Sequence, residues 1–325
     1  MELFSGFEYT QIAVANAGGM DKSTWKERIE WVDSHSISDL KEVSLDAKEP
    51  ILYRKAIRAL EDAHAKKETG FIMGLDATAS GLQMMSALIG CKKTAARVNL
   101  VDTGSREDVY TFINNKMGSE VLRDDIKDAI MTFFYGSRLI PQLLFPNKGD
   151  LKHFYKLLNK YMPGAMECMD LMQSCWMKDN KIHKCTLPDG HINRVRVYEV
   201  VDKKIEVDEL DHSTFTHRGK VYHPMEKGLC LAANITHGTD GYVGRQMSRR
   251  ADNQGFDLLS IHDSFWAHPN NMNKVRINYN ETLAEIAESN LLQDMLREIT
   301  EYNGTIKKMS TDLGDYIRQS NYALS

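Results

Sequence analysis

Two aspartates stand where carboxylates can act together. Asp76 closes the short apolar run Phe71-Ile72-Met73-Gly74-Leu75, and Asp263 sits at the His262-Asp263 bend. A carboxylate at a strand end has a buried anchor behind it and an open front. Two of them on neighbouring strands could hold two Mg²⁺ ions ~3.5–4 Å apart, as in-line phosphoryl transfer requires. Taken singly, each reads as a solvated turn residue. A third segment adds to the pair. Arg123, Lys127, Met131 and Tyr135 recur every four residues, so each step advances only ~40° around a helix. Two cations and an aromatic ring then share one broad face, with Gly136 and Ser137 closing the helix. A plain basic helix edge has no need of that ring. A nucleoside triphosphate does, with cations for its phosphates and a ring for its sugar and base.

The elements that must position these groups are legible in outline. Residues 5–17 read as a helix ended by Gly18-Gly19 in a left-handed cap. A second helix starts at Thr24 with Glu27 as its capping box and turns Trp25, Ile29 and Val32 inward. Further helical patterns cover residues 50–65, 80–89, 106–117, 124–134 and 151–177, the last broken at Met162-Pro163-Gly164. The run 71–75 reads as a buried strand and 256–261 as a strand, with a return strand at 264–267. Residues 187–223 read as an exposed β-ribbon, with turns at Pro188-Asp189-Gly190 and Arg218-Gly219 before Lys220-Val221-Tyr222.

Composition narrows the classes. The chain has 325 residues, 42% of them hydrophobic and 26% charged, which excludes a wholly disordered or fibrous chain. Lys plus Arg number 41 and Asp plus Glu 45, for a formal charge of −4. Nucleic-acid contact must therefore come from a local positive surface. Five scattered cysteines and no export signal at residues 1–6 point to a reducing cytoplasm. No run approaches the ~20 apolar residues of a membrane helix, so no membrane partner is expected. No phosphate-loop, dinucleotide, nucleophile-elbow or His-Glu-x-x-His motif occurs. The spacing of Cys168, Cys175, His183 and Cys185 is not that of a zinc site.

The chain resembles the single-subunit RNA polymerases of bacteriophages and mitochondria. Residues 74–83, Gly-Leu-Asp-Ala-Thr-Ala-Ser-Gly-Leu-Gln, resemble motif A of that family. Arg123-Asp124-Asp125-Ile126-Lys127 through Tyr135-Gly136-Ser137 resembles motif B, and Ile261-His262-Asp263-Ser264-Phe265 resembles motif C. Weaker matches lie at residues 16–28 (through Gly19, Asp21 and Lys22), 97–100, 233–237 with Asp240-Gly241, and 321–325. Ala77 stands where glycine is usual, and Met84 where the best-known members have histidine. The related DNA polymerases keep a glutamate at the Gly81 position and end motif C in His-Asp-Glu, where this chain has Ser264. Both differences imply ribonucleotides.

The resemblance implies DNA-templated RNA synthesis from NTPs, with Asp76 and Asp263 as ligands of two Mg²⁺ ions and the Ala77 carbonyl as a further oxygen. It makes Arg123 and Lys127 the triphosphate contacts, Lys127 also being the candidate proton donor to pyrophosphate, with Met131 and Gly136 beside the nucleotide. Tyr135 would test for the ribose 2′-hydroxyl and His237 would lie near the base pair. His262, Ser264 and Gly81 would support the site. The implied fold is α+β and mainly helical, a right-hand polymerase with a small antiparallel palm sheet. Palm would be 1–92 and 238–325, the latter including the C-terminal foot, and fingers 93–237. The ribbon 189–223 falls at the family's promoter-reading hairpin, where Arg194, Arg196, Lys203, Lys204 and Arg218 could meet DNA phosphates, diluted by six acids between Glu199 and Asp211. The family's N-terminal domain has no match. The chain is therefore expected to be either a truncated piece of a longer polymerase or, as favoured, one chain of a split phage enzyme. Its second polypeptide would supply that domain, with a promoter-recruitment factor, and an uncovered apolar stripe (Phe7, Ile12, Val14) is expected on the first helix. The cytoplasm would be that of an infected host if a phage encodes the chain. The alternatives are a non-catalytic scaffold with the same fold and a DNA polymerase of the related family.

Overall fold

A computed structural model describes residues 1–118, 121–196, 199–221, 228–300 and 304–325. Its helices are α1 (Gly6–Ala15), α2 (Trp25–Asp33), α3 (Ile37–Glu42), α4 (Pro50–His64), α5 (Ser80–Ile89), α6 (Lys92–Arg97), α7 (Val109–Met117) and α8 (Arg123–Phe134). They continue as α9 (Leu139–Leu144), α10 (Lys148–Tyr161), α11 (Pro163–Ser174), α12 (Cys230–Asn253), α13 (Met272–Glu288), α14 (Leu291–Thr300) and α15 (Leu313–Gln319). The strands are β1 (Met73–Asp76), β2 (Ile182–Thr186), β3 (Ile192–Arg196), β4 (Glu199–Val207), β5 (Ser213–Val221), β6 (Leu259–Ile261) and β7 (Ser264–Ala267). The fold is thus α+β and mostly helical, with small antiparallel sheets. No helix is long and apolar enough to cross a membrane.

The central sheet has the order β1-β7-β6, all antiparallel. Its register sets Leu75 against Phe265 and Asp76 against Ser264. Alternation buries Met73, Leu75, Phe265 and Ala267 against the helices and leaves Asp76 on the open face. The core beneath the sheet comes from α5 and α13, whose Met84, Met85, Leu88, Tyr279 and Leu283 are almost wholly buried. Capping boxes at Ser5 with Glu8 and Thr24 with Glu27 start α1 and α2, each cap contributing about 1 kcal/mol.

Several expectations need correction. The first helix does not stop at Gly18-Gly19. It runs on through a π-turn at Asn16–Met20, and Gly19 alone takes a positive φ of 112°. Its apolar side is covered, since Ile12 and Val14 are fully buried and Phe7 packs against the core. Helix α7 begins at Val109, not Arg106, because the Asp108 side chain accepts from the Tyr110 and Thr111 N–H groups and caps it. The ribbon is two hairpins. The first starts earlier than expected, at β2, and its Asp189 turn is tied down, with Arg245 Nε 2.5 Å and Nη2 3.2 Å from that carboxylate. The second, β4–β5, stands exposed. Arg218-Gly219 is not its turn but lies inside β5, where Arg218 pairs in register with Asp202. The chain reverses at residues 208–212, where Asp211 and His212 take positive φ. Tyr222 and His223 lie outside the described residues.

Candidate active site

The turn from β1 into α5 carries the first aspartate and is unusually well fastened. Ala79 precedes α5 with φ 61°, a left-handed conformation costing about 1–2 kcal/mol for a residue with a Cβ. Hydrogen bonds overdetermine it. The buried Gln83 amide donates to Val98 O and Ala323 O at 2.9 Å each and to Thr78 Oγ1 at 3.1 Å. Its Oε1 accepts from the Tyr279 hydroxyl at 2.6 Å. Asn99 donates to Thr78 Oγ1 at 3.1 Å. The last residues close the same turn, with Ser325 N on Asp76 O at 2.9 Å and Thr78 N on Ala323 O at 3.2 Å.

The second aspartate comes from the β6–β7 bend, where His262 has φ 54°. Ala77 N donates to Asp263 O at 3.1 Å, so the two aspartate-bearing turns are joined through the backbone. Both side chains line one cavity of about 560 Å³. Neither carboxylate has an ion pair or hydrogen bond among the described residues. Two uncompensated carboxylates on joined strand ends form an all-oxygen donor set that suits a hard divalent cation. That is the fit the Mg²⁺ expectation requires. The one group of three metal-ligating side chains among the described residues lies elsewhere, at the exposed Glu206, Asp208 and His212 of the β4–β5 tip.

Helix α8 forms the facing wall. Arg123, Lys127, Met131 and Tyr135 all line the cavity, as do Ala77 and Gly81. Lys127 is without an ion pair or hydrogen bond among the described residues, whereas Arg123 is not free. Its Nε lies 2.6 Å from Asp108 Oδ2 and its Nη1 3.1 Å from Asp124 Oδ1. Burial would raise the Asp108 carboxyl, but Arg123 and Thr111 hold it below the usual range. Tyr135 ends α8, and its ring stands 4.7 Å from that of His237 at 60°. Burial first, then Asp240 and Asp263, pushes the Tyr135 hydroxyl up to about 12, so it stays a proton donor. Gly136 follows with φ 96°, and a Cβ there would lie 2.2 Å from Leu229 O.

Four expected residues stand outside the cavity lining: Gly136, His237, His262 and Ser264. The ribbon cations Arg194, Arg196, Lys203, Lys204 and Arg218 are exposed on the two hairpins and none of them lines this cavity, and Arg218 is spent on Asp202 at 2.8 and 3.0 Å. Sequence reasoning missed other wall residues. Lys22, Lys48, Arg97 and Arg106 add cations and Asp21, Glu107 and Asp108 add acids. Asp240 also went unassigned, although burial and Asp263 push its carboxyl up to about 6 against the pull of His262. Asp21, Lys22, Arg97 and Asp240 lie in the weaker motif matches, the one signal that could have found them. Cys168 and Cys185 are buried, and burial raises both thiols to about 12.

Comparison with known proteins adds an independent finding. The profile of the family described as DNA-dependent RNA polymerase matches residues 4–136 and 196–322. A probable DNA-directed RNA polymerase of Neurospora crassa is 33% identical over 160 residues, 41% of this chain and 18% of the relative. The mitochondrial DNA-directed RNA polymerase 1 of Arabidopsis thaliana is 23% identical over 356 residues, 90% of this chain and 36% of its own length. The chloroplastic/mitochondrial polymerase 2 of Nicotiana sylvestris is 21% identical, covering 96% of this chain and 37% of the relative. The chain therefore spans little more than a third of these plant relatives. It belongs to the DNA-dependent RNA polymerase family.

Proposed function

We propose that this member of the DNA-dependent RNA polymerase family extends RNA on a DNA template. The RNA 3′-hydroxyl gives up its proton to solvent and its oxygen attacks the α-phosphorus of an NTP, one P–O bond forms, the bond to the β-phosphate breaks, and pyrophosphate leaves. The observation that carries this reading is the pair of uncompensated carboxylates, Asp76 and Asp263, facing the unpaired Lys127 across one cavity.

Asp76, Asp263 and the Ala77 carbonyl would hold two Mg²⁺ ions, which supply charge for the attacking and leaving oxygens. Lys127 binds the triphosphate and gives a proton to the leaving pyrophosphate. Arg123, held by Asp108, grips the phosphates from a fixed position. Tyr135 offers its hydroxyl to the ribose side of the nucleotide, with Met131 and Gly136 beside it. His237 buttresses the Tyr135 ring from the base-pair side, and His262 and Ser264 shape the Asp263 turn.

In this reading residues 1–92 and 238–325 form a palm and 93–237 the fingers. Residues beyond this chain complete the enzyme, supplied by a second polypeptide of a split phage-type polymerase, with a recruitment factor setting promoter choice. Co-expression with a candidate second polypeptide and sizing tests that part. The catalytic reading is tested by extending a labelled RNA primer on DNA, with Mg²⁺ or chelator and with rNTPs or dNTPs. Metal-dependent extension with rNTPs is expected. No extension with any second polypeptide would favour a scaffold, and equal use of dNTPs a DNA polymerase.

A further inference from the structure

Helix α10 carries lysines at positions 148, 152, 156 and 160, and all four are exposed. A four-residue spacing drifts ~40° per step, so the four span a ~120° band running ~18 Å along the helix. Phe154, Leu157 and Leu158 are buried on its other side, which fixes the band outward. Tyr155 stacks near Phe133 of α8, ring centroids 5.0 Å apart. Through that ring pair α10 touches α8, the helix whose Lys127 and Tyr135 line the cavity.

This charge is uncompensated. Some exposed cations elsewhere take acidic partners, as Lys26 does Glu30, Lys41 does Glu61 and Arg218 does Asp202. None of the four stripe lysines has an ion pair among the described residues, and Asp150 is the single acid on the helix. Like charges four apart repel by ~0.2–0.5 kcal/mol per pair. On a chain of net charge −4 such a row concentrates positive charge on one side of a single helix.

We propose that the α10 stripe holds the phosphate backbone of duplex DNA outside the active cleft. Single strands are gripped by stacking bases on aromatic platforms, and the large rings of this helix are turned away from solvent. Phe154 is buried, Tyr155 faces Phe133, and Tyr161 packs 4.9 Å from Phe112. His153 is the one exposed ring, its Nε2 3.5 Å from Lys116 O. Four ammonium groups in a band along one rigid helix suit a stiff backbone and read no bases.

The proposal stands apart from the catalytic reading, because binding can be measured without turnover. The experiment compares the chain with its Lys152→Gln/Lys156→Gln and Lys152→Arg/Lys156→Arg variants by fluorescence anisotropy. The probes are a labelled DNA duplex, a single-stranded RNA and polyglutamate, each across a salt series, with circular dichroism as the folding control. The glutamine variant should bind duplex ~10-fold more weakly at low salt, with the slope of log K against log salt reduced by ~1.8, about 0.9 per lost phosphate contact. The arginine variant should keep both. Absence of duplex binding, an unchanged slope, or an equal loss on RNA or polyglutamate would overturn the proposal.

Discussion

The Tyr135 hydroxyl closes on Gly81: a Cβ at position 81 would sit 2.5 Å from that oxygen. The ring that ends α8 and the first turn of α5 are thus fitted to each other, and no side chain can stand between them. The fit places one of the two differences from the related DNA polymerases, glycine at 81, against Tyr135 in the cavity wall. Glycine at 81 leaves room for the tyrosine hydroxyl, which in the proposed reading lies beside the nucleotide sugar.

Tyr135→Phe should lower the rNTP/dNTP preference by roughly tenfold, the worth of one neutral hydrogen bond in a discriminating site. Gly81→Ala should do likewise, by displacing the ring. Competitive incorporation on one primed template measures both. An unchanged preference in both variants would remove Tyr135 from sugar discrimination.

Asp108 caps α7 and clamps Arg123, and one substitution separates these tasks. Asparagine is as good a cap but cannot hold the guanidinium as an ion pair. Asp108→Asn should leave thermal stability within about 1 kcal/mol of the parent while raising the KM for NTP several-fold. Lys127→Ala should cost more, roughly 10–100-fold in kcat/KM, as loss of a charge-assisted hydrogen bond. Steady-state kinetics with a single NTP reads both. A KM unmoved by Asp108→Asn would detach the clamp from substrate binding.

Asp189 anchors the first hairpin to α12 with its side chain only 1% exposed. The Arg245 hydrogen bond is the largest influence holding its carboxyl below the usual range. A depressed folded value stabilises the protein above the unfolded pKa near ~3.9, and that stability is lost as pH falls through the folded value. Asp189→Asn should therefore cost ~1–3 kcal/mol at neutral pH and progressively less toward pH ~3. Urea unfolding at the two pH values decides it. An equal cost at both would assign the effect to packing.

Periodicity and turn chemistry made much of this molecule readable. Asp76 and Asp263 stood out because each ends an apolar run, and the α8 face followed from a four-residue spacing. The second hairpin misled, because Arg218-Gly219 has the composition of a turn. Its cross-strand partner Asp202, sixteen residues earlier, makes it strand instead. Strand β2 was overlooked because its inward residues, His183 and Cys185, are not strong apolar markers. The wall residues Lys48, Arg106 and Asp108 were illegible for a different reason. Their place in the cavity goes with long-range contacts, Lys48 with Asp21, Arg106 with Ser325 and Asp108 with Arg123, which no local spacing encodes.

The central claim is that Asp76 and Asp263 are the carboxylates on which nucleotide addition depends. The most direct measurement is single-turnover addition of one NTP to an RNA primer on DNA by the parent chain and by Asp263→Asn, in Mg²⁺, with circular dichroism confirming an equal fold. The account predicts a loss of at least ~10³-fold in the addition rate with little change in melting temperature. Addition by Asp263→Asn at a rate near that of the parent would contradict it.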